Sequence, residues 1–156
     1  MRIGIGYDLH PLRDGRALIL GGVRIDHPKG LDGHSDADVL THAVVDAILG
    51  ASGLGDIGAH FPPDDARFKG ASSLALLGEA SRIVANAGYR VVNVDSTVVA
   101  QAPRLQPHLA EMARNIAHAL GLEQDAVSVK ATSPEGIGSL GAGEGIAAQA
   151  VALVEQ

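Results

Sequence analysis

The residues of this chain best suited to chemistry begin at Asp8-Leu9-His10, where a carboxylate and an imidazole stand two apart. In an extended strand such positions project from one face and can converge on a single ion. A third donor is available in His42, early in an apolar-periodic segment approached by His34, Ser35, Asp36 and Asp38. Two imidazoles and one carboxylate with a fourth position left open is the donor set of a catalytic zinc. Asp38 lies four residues before His42, so on a shared helix face it could accept the second ring N–H of that histidine. By spacing alone the alternative is a solvated helix face, and Asp-x-His is also compatible with histidines that only satisfy hydrogen bonds. Gly55-Asp56-Ile57-Gly58 pairs a carboxylate suited to ribose hydroxyls with backbone N–H groups that can approach an anion. An ordinary Asx turn is its plain reading. Lys130-Ala131-Thr132-Ser133-Pro134-Glu135 combines a cation, two hydroxyls and a carboxylate that could hold phosphate and a hard divalent ion. Ala100-Gln101-Ala102-Pro103-Arg104-Leu105 turns sharply and could offer backbone to a planar base edge, or could be a connecting loop.

These groups need elements to position them. Alternation predicts a strand over Arg2–His10 and a hairpin of Ala17–Leu20 and Val23–Ile25 around Gly21-Gly22. Val39, Leu40, Ala43, Val44, Ala47 and Ile48 recur at helical spacing after Asp38, and the segment ends within Gly50 to Gly55. Leu54 to Arg67 is too rich in Gly, Pro and Asp for regular structure and is predicted as a long loop, a feature that usually serves a function. Ser72 or Ser73 caps a second helix running to Ala87, with Gly88 as the stop. Strands follow at Arg90–Ala100 and Val127–Thr132, with a helix from Pro107 to Leu120 between them, closed by Gly121. The Ala-rich Gly145–Val154 suits helix or buried strand and is assigned as strand. The expected architecture is α/β (α+β): a sandwich with helices covering one face of a sheet.

Composition narrows the function classes. A chain of 156 residues, 46% hydrophobic and 19% charged, without a linker or repeat, is expected to form one domain over 1–156. The absence of Cys excludes disulfides, Cys-ligated zinc and Cys nucleophiles, leaving any metal to His, Asp and Glu. Twelve Lys and Arg against 18 Asp and Glu give a net charge of −6, and only three of the basic residues are Lys, which argues against a nucleic-acid surface. Aromatics are 3% with no Trp, so stacking platforms are scarce. The N-terminal residues carry no secretory pattern and no apolar run approaches the roughly 20 residues of a membrane span, so a cytoplasmic protein without membrane contact is expected. Twenty glycines predict tight turns and close backbone approaches.

The order of these clusters resembles the 2-C-methyl-D-erythritol 2,4-cyclodiphosphate synthase family of the non-mevalonate isoprenoid pathway. The resemblance spans the chain: Arg2-Ile-Gly, Tyr7-Asp-Leu-His10, Leu20-Gly-Gly-Val-Arg-Ile25, His34-Ser-Asp-Ala-Asp38, His42, Gly55-Asp-Ile-Gly58, Phe61-Pro62, Phe68-Lys-Gly70, Asn93-Val-Asp95, Ala100-Gln-Ala-Pro103, Lys130-Ala-Thr132 and Gly143-Glu-Gly-Ile-Ala147. It implies a ferredoxin-like mixed sheet, a homotrimer with active sites at subunit interfaces, and a phosphorus–oxygen lyase. The substrate would be 4-diphosphocytidyl-2-C-methyl-D-erythritol 2-phosphate, cyclised with release of CMP. By position, Asp8, His10 and His42 resemble ligands of Zn²⁺ or another divalent transition metal, and Glu135 a ligand of Mg²⁺ or Mn²⁺ on the diphosphate. His34 and Ser133 take transition-state-stabilising positions. Substrate contacts are implied for Asp8, Leu9, His10, His34, Ser35, Asp56, Ile57, Gly58, Phe61 and Asp65. Ala100 to Leu105 and Lys130, Ala131, Thr132 and Ser133 match the cytidine and phosphate pocket. The chain departs from the family pattern at Pro63, where Asp is usual, at Ser133, where Thr is usual, and at Ser139 and Ala142, where an aromatic and an Arg are common near the trimer axis. Rival readings are a zinc phosphohydrolase, in which water attacks, and a trimeric nucleotide or prenyl-diphosphate binding module that has lost catalysis.

Overall fold

The computed structural model describes residues 1–156. Its main sheet has five strands in the order β4-β1-β7-β5-β6, formed by β1 (Arg2–Asp14), β4 (Lys29–Leu31), β5 (Arg90–Val99), β6 (Val127–Thr132) and β7 (Gly145–Glu155). A separate hairpin pairs β2 (Leu18–Leu20) with β3 (Val23–Ile25). Helices α1 (Val39–Ser52), α3 (Ser73–Asn86) and α4 (Leu109–Leu120) supply the apolar layer, and two four-residue helices, α2 (Ile57–His60) and α5 (Gly138–Gly141), sit in connections. The buried apolar residues form one continuous cluster, so the chain has one core rather than two. No helix is long and apolar enough to cross a membrane.

The layering agrees with the sequence reading, but the connections do not follow the ferredoxin-like order. Strand–helix–strand–strand–helix–strand is the ferredoxin-like succession. Here α1 and α3 separate β1 from β5, α4 links β5 to β6 as a parallel pair at the sheet edge, and β7 returns to the centre, antiparallel to both β1 and β5. The Ala-rich last segment is the central strand: Ala148, Ala150 and Ala152 are fully covered, and their small side chains let helices pack close.

Three boundaries differ from expectation for identifiable reasons. β1 continues past Pro11 to Asp14 because Leu12, Arg13 and Asp14 pair with β4, a three-residue strand too short to alternate. Pro107 is the second residue of a 3₁₀ turn over Gln106–His108, and the α-helix begins only at Leu109. The Leu54–Arg67 connection holds α2 and a 3₁₀ turn at Ala66–Phe68, each begun by an aspartate whose carboxylate accepts backbone N–H groups: Asp56 from Ala59 and Asp65 from Arg67. The family of short capped turns defeats periodicity because none exceeds four residues.

Two glycines of β1 set the position of α1. A Cβ at Gly4 would stand 2.1 Å from the Ala47 carbonyl oxygen, and one at Gly6 would stand 1.9 Å from that of Ala43. The helix therefore lies directly on the strand, on the face shared by Gly4, Gly6, Asp8 and His10. His42 precedes Ala43, so this contact delivers its imidazole beside Asp8 and His10.

Candidate metal centre and active-site cleft

Asp8 Oδ2 lies 2.9 Å from His10 Nε2 and 2.9 Å from His42 Nδ1, and the two ring nitrogens are 3.2 Å apart. The outer nitrogens settle which tautomers these rings hold. His10 Nδ1 is 2.9 Å from the Asp32 carbonyl oxygen, which can only accept, so Nδ1 carries the proton and Nε2 of the neutral ring is a bare lone pair. His42 Nε2 faces Ser73 Oγ at 2.9 Å and Ser35 Oγ at 3.0 Å. With the Ser73 hydroxyl donating to Asp36, Nε2 is the donor and Nδ1 is left bare.

Two lone pairs and a carboxylate oxygen aimed at one point repel unless a cation or protons stand between them. Without metal, a proton on His10 donated to Asp8 relieves this. Burial alone would raise the Asp8 carboxyl, yet hydrogen bonds and charge from His10 and His42 outweigh it and hold the group well below the usual carboxylate range. Burial would lower His10, and Asp8 with the Asp32 carbonyl overcomes this and raises it above its ordinary value of 6.5. The three donors lie within 4.8 Å of one another. A tetrahedral zinc separates its N and O donors by roughly 3.3 Å, so a small outward rotation of these side chains accommodates the ion. The donor set fits a divalent transition metal.

The cluster forms the base of a cleft of about 240 Å³ that is also lined by His34, Ser35, Ile57, Gly58 and Phe61. Phe61 packs edge-on against Phe68, with centroids 5.4 Å apart, closing one wall. His34 Nε2 donates to the Asp65 carbonyl oxygen at 3.2 Å. The Asp65 carboxylate is turned away to Arg67, whose guanidinium lowers its titration range. Asp56 caps α2 as an Asx turn predicts, while the Ile57 N–H donates to Asp46 on α1 at 2.7 Å, which fixes the loop to the helix that carries His42.

The remaining sequence-selected residues lie elsewhere in the chain. Ala100 to Leu105, with Ala131, Thr132 and Ser133, line a separate cavity. Ser133 Oγ accepts the Glu135 N–H at 2.9 Å, and Glu135, which is exposed, adopts φ +53, an uncommon conformation outside Gly. Lys130 does not join this cavity; it pairs with Asp95 on the neighbouring strand. Leu9 points to the opposite face of β1 and is 49% exposed. Within one chain, then, His34 and Ser133 are not brought together.

Asp38 takes a different role from the one its spacing suggested. It is fully buried as the N-cap of α1, accepting from the Gly21 and Gly22 N–H groups at 2.9 and 2.7 Å and from the Thr41 N–H and hydroxyl at 3.1 and 2.8 Å. At the cap its carboxylate faces backwards onto the hairpin, away from His42. The groups that face the outer nitrogen of His42 are Ser35 and Ser73, and the sequence offered Ser73 only as a helix cap, which the structure assigns to Ser72. Arg16 likewise carries no signal of its role in the sequence. Its guanidinium donates to the carbonyls of Leu31 and Gly33 at 3.1 Å and of Ser35 at 3.4 Å, clamping the loop that carries Asp32 and His34.

Comparison with known proteins agrees with this geometry over the whole chain. The YgbB family model matches residues 1–155. A 2-C-methyl-D-erythritol 2,4-cyclodiphosphate synthase from Syntrophomonas wolfei is 59% identical over 156 residues, covering 100% of this chain and 99% of that protein. The bifunctional IspDF from Campylobacter jejuni superposes with a TM-score of 0.94 at 43% identity over 98% of this chain, which spans 42% of that longer protein. A 2C-methyl-D-erythritol-2,4-cyclodiphosphate synthase solved in a form bound to CDP superposes with a TM-score of 0.90 at 37% identity, covering 99% of this chain and 100% of the other. A full-length family match and relatives of this identity place the chain in the YgbB family, the family of the 2-C-methyl-D-erythritol 2,4-cyclodiphosphate synthases.

Proposed function

We propose that residues 1–156 act as one cyclodiphosphate synthase domain. It converts 4-diphosphocytidyl-2-C-methyl-D-erythritol 2-phosphate to 2-C-methyl-D-erythritol 2,4-cyclodiphosphate and CMP. The observation that carries this reading is the convergence of Asp8, His10 and His42 at the base of a cleft shared with His34 and Ser35, in a chain aligned end to end with synthases. A 2-phosphate oxygen of the substrate forms a bond to the β-phosphorus, and the bond from that phosphorus to the CMP oxygen breaks. The nucleophile is already ionised near neutral pH, so no side chain need remove a proton. The task of the protein is to hold two ends of one flexible molecule together, which is worth roughly 7–11 kcal/mol when the approach is well oriented.

Asp8, His10 and His42 would hold Zn²⁺, and Glu135 would contribute to a site for Mg²⁺ or Mn²⁺. Bound there, these cations supply charge neutralisation and polarisation of phosphoryl oxygens, which also reconciles a chain of net charge −6 with an anionic substrate. His34 and Ser35 bind the methylerythritol phosphate, with the His34 ring oriented by the Asp65 carbonyl so that its other nitrogen is free for substrate. Ile57, Gly58 and Phe61 exclude water from this end, and Asp56 reaches ribose hydroxyls. Ala100 to Leu105 with Ala131 and Thr132 accept the cytidine, and Ser133 acts on the leaving phosphate.

A homotrimer unites these halves. Ile3, Ile5, Tyr7 and Leu9, between 49% and 74% exposed, form an apolar stripe on the sheet face away from the helices, a surface of the kind that subunits bury. The cleft and the second cavity share no lining residue, which suits a site assembled from neighbouring subunits. Phosphorus NMR of protein incubated with substrate, Zn²⁺ and Mg²⁺ tests the reading. A cyclic diphosphate with released CMP is expected, and His42→Ala should abolish both. Linear phosphates from the parent protein would instead identify a hydrolase, and unchanged substrate despite demonstrated binding would identify a non-catalytic module.

A further inference from the structure

We infer that Asp36 and Ser73 are positioning residues that set His42 as a metal ligand by fixing which of its nitrogens carries the proton. The inference rests on the reading of Asp8, His10 and His42 as the metal site. Ser73 is fully buried at the start of α3, 31 residues along the chain from His42, and its Oγ is 2.9 Å from His42 Nε2. The Asp36 carboxylate grips this serine twice: Oδ2 accepts the Ser73 N–H at 3.0 Å and Oδ1 accepts the Ser73 hydroxyl.

The direction of the chain of bonds follows from what each group can give. An ionised carboxylate only accepts, so the single Ser73 hydroxyl proton is committed to Asp36 and the Ser73 oxygen presents a lone pair to His42. His42 Nε2 must then be the donor, and Nδ1 faces Asp8 as a lone pair. Ser35 Oγ, 3.0 Å from the same nitrogen, cannot enforce this alone, because its own proton is not tied to an anion and its oxygen already receives the Ala37 N–H at 3.1 Å. Asp36 is itself held in place: its N–H donates to the Ala71 carbonyl at 3.1 Å, its Oδ1 receives the Asp38 N–H at 3.2 Å, and the Gly70 N–H donates to the His34 carbonyl at 2.9 Å. The 34–36 and 70–73 segments are thus zipped together, joining a metal ligand on α1 to the start of α3. Groups that orient a ligating histidine from behind alter metal affinity about 10–100-fold when removed.

Zn²⁺ affinity, measured by competition with a chromophoric chelator, tests this, with the visible absorption of Co²⁺-loaded protein as a second readout. Ser73→Ala and Asp36→Asn are each expected to bind Zn²⁺ about 10–100-fold more weakly, with an altered Co²⁺ band, while circular dichroism stays that of the folded protein. Because both act through one imidazole, the double variant should lose little more than the weaker single variant rather than the product of the two losses. Parent-like affinity in Ser73→Ala, or fully multiplicative losses, would overturn the inference. Equal affinity in the parent and in His42→Ala would overturn the underlying metal site instead, so the two failures are distinct.

Discussion

At the scale of single residues, the metal cluster is an acid–base system whose stability depends on what occupies it. In chelator-stripped protein the Asp8 carboxyl lies below its unfolded value, so its contribution is present above about pH 4 and lost as acid approaches the folded value. His10 is raised, so its contribution is complete below about pH 6.5 and lost as the pH climbs through the folded value. The metal-free pair therefore stabilises the fold most between about pH 4 and 6.5. Zinc takes only deprotonated ligands, so its stabilisation should grow from pH 6 to pH 8. Thermal unfolding across this range, with and without Zn²⁺, checks the sign; a zinc effect that shrinks with rising pH would contradict the donor set.

At the scale of elements, the approach of α1 to β1 decides whether the donors meet at all. Gly6→Ala puts a methyl where the Ala43 carbonyl already stands, so the helix must retreat and carry His42 with it. A loss of about 2 kcal/mol or more in urea unfolding is expected, together with weaker zinc binding. Unchanged stability would show that the contact is softer than its geometry states. Strand alternation placed Asp8 and His10 on one face and made the long strands and helices legible, but spacing alone did not select His42, which joined them only through the family resemblance. Ser73 and Arg16 were not legible, because they reach the site through tertiary contacts between segments with no shared period. Asp38 departs from its expected role because helical spacing says which residues share a face but not that a cap turns its carboxylate backwards onto Gly21 and Gly22. The ferredoxin-like expectation failed on connectivity, a property that strand patterns leave open.

At the scale of the whole molecule, an exposed apolar stripe on β1 and two cavities that share no lining residue support the proposed trimer. Sedimentation should give a mass of three chains, and a fully active monomer would refute the shared-site arrangement. The proposed division of labour between the cavities also makes defects exchangeable. A chain carrying His42→Ala retains its nucleotide-side residues, and a chain carrying Ser133→Ala retains its metal side. Neither homotrimer should turn over, but co-refolding equal amounts lets the sound halves of different chains face each other. About a quarter of the interfaces in such random mixtures would regain both halves. Activity reappearing from two dead proteins would be a genetic kind of proof, intragenic complementation, that the unit of catalysis is the seam between chains and not the chain itself.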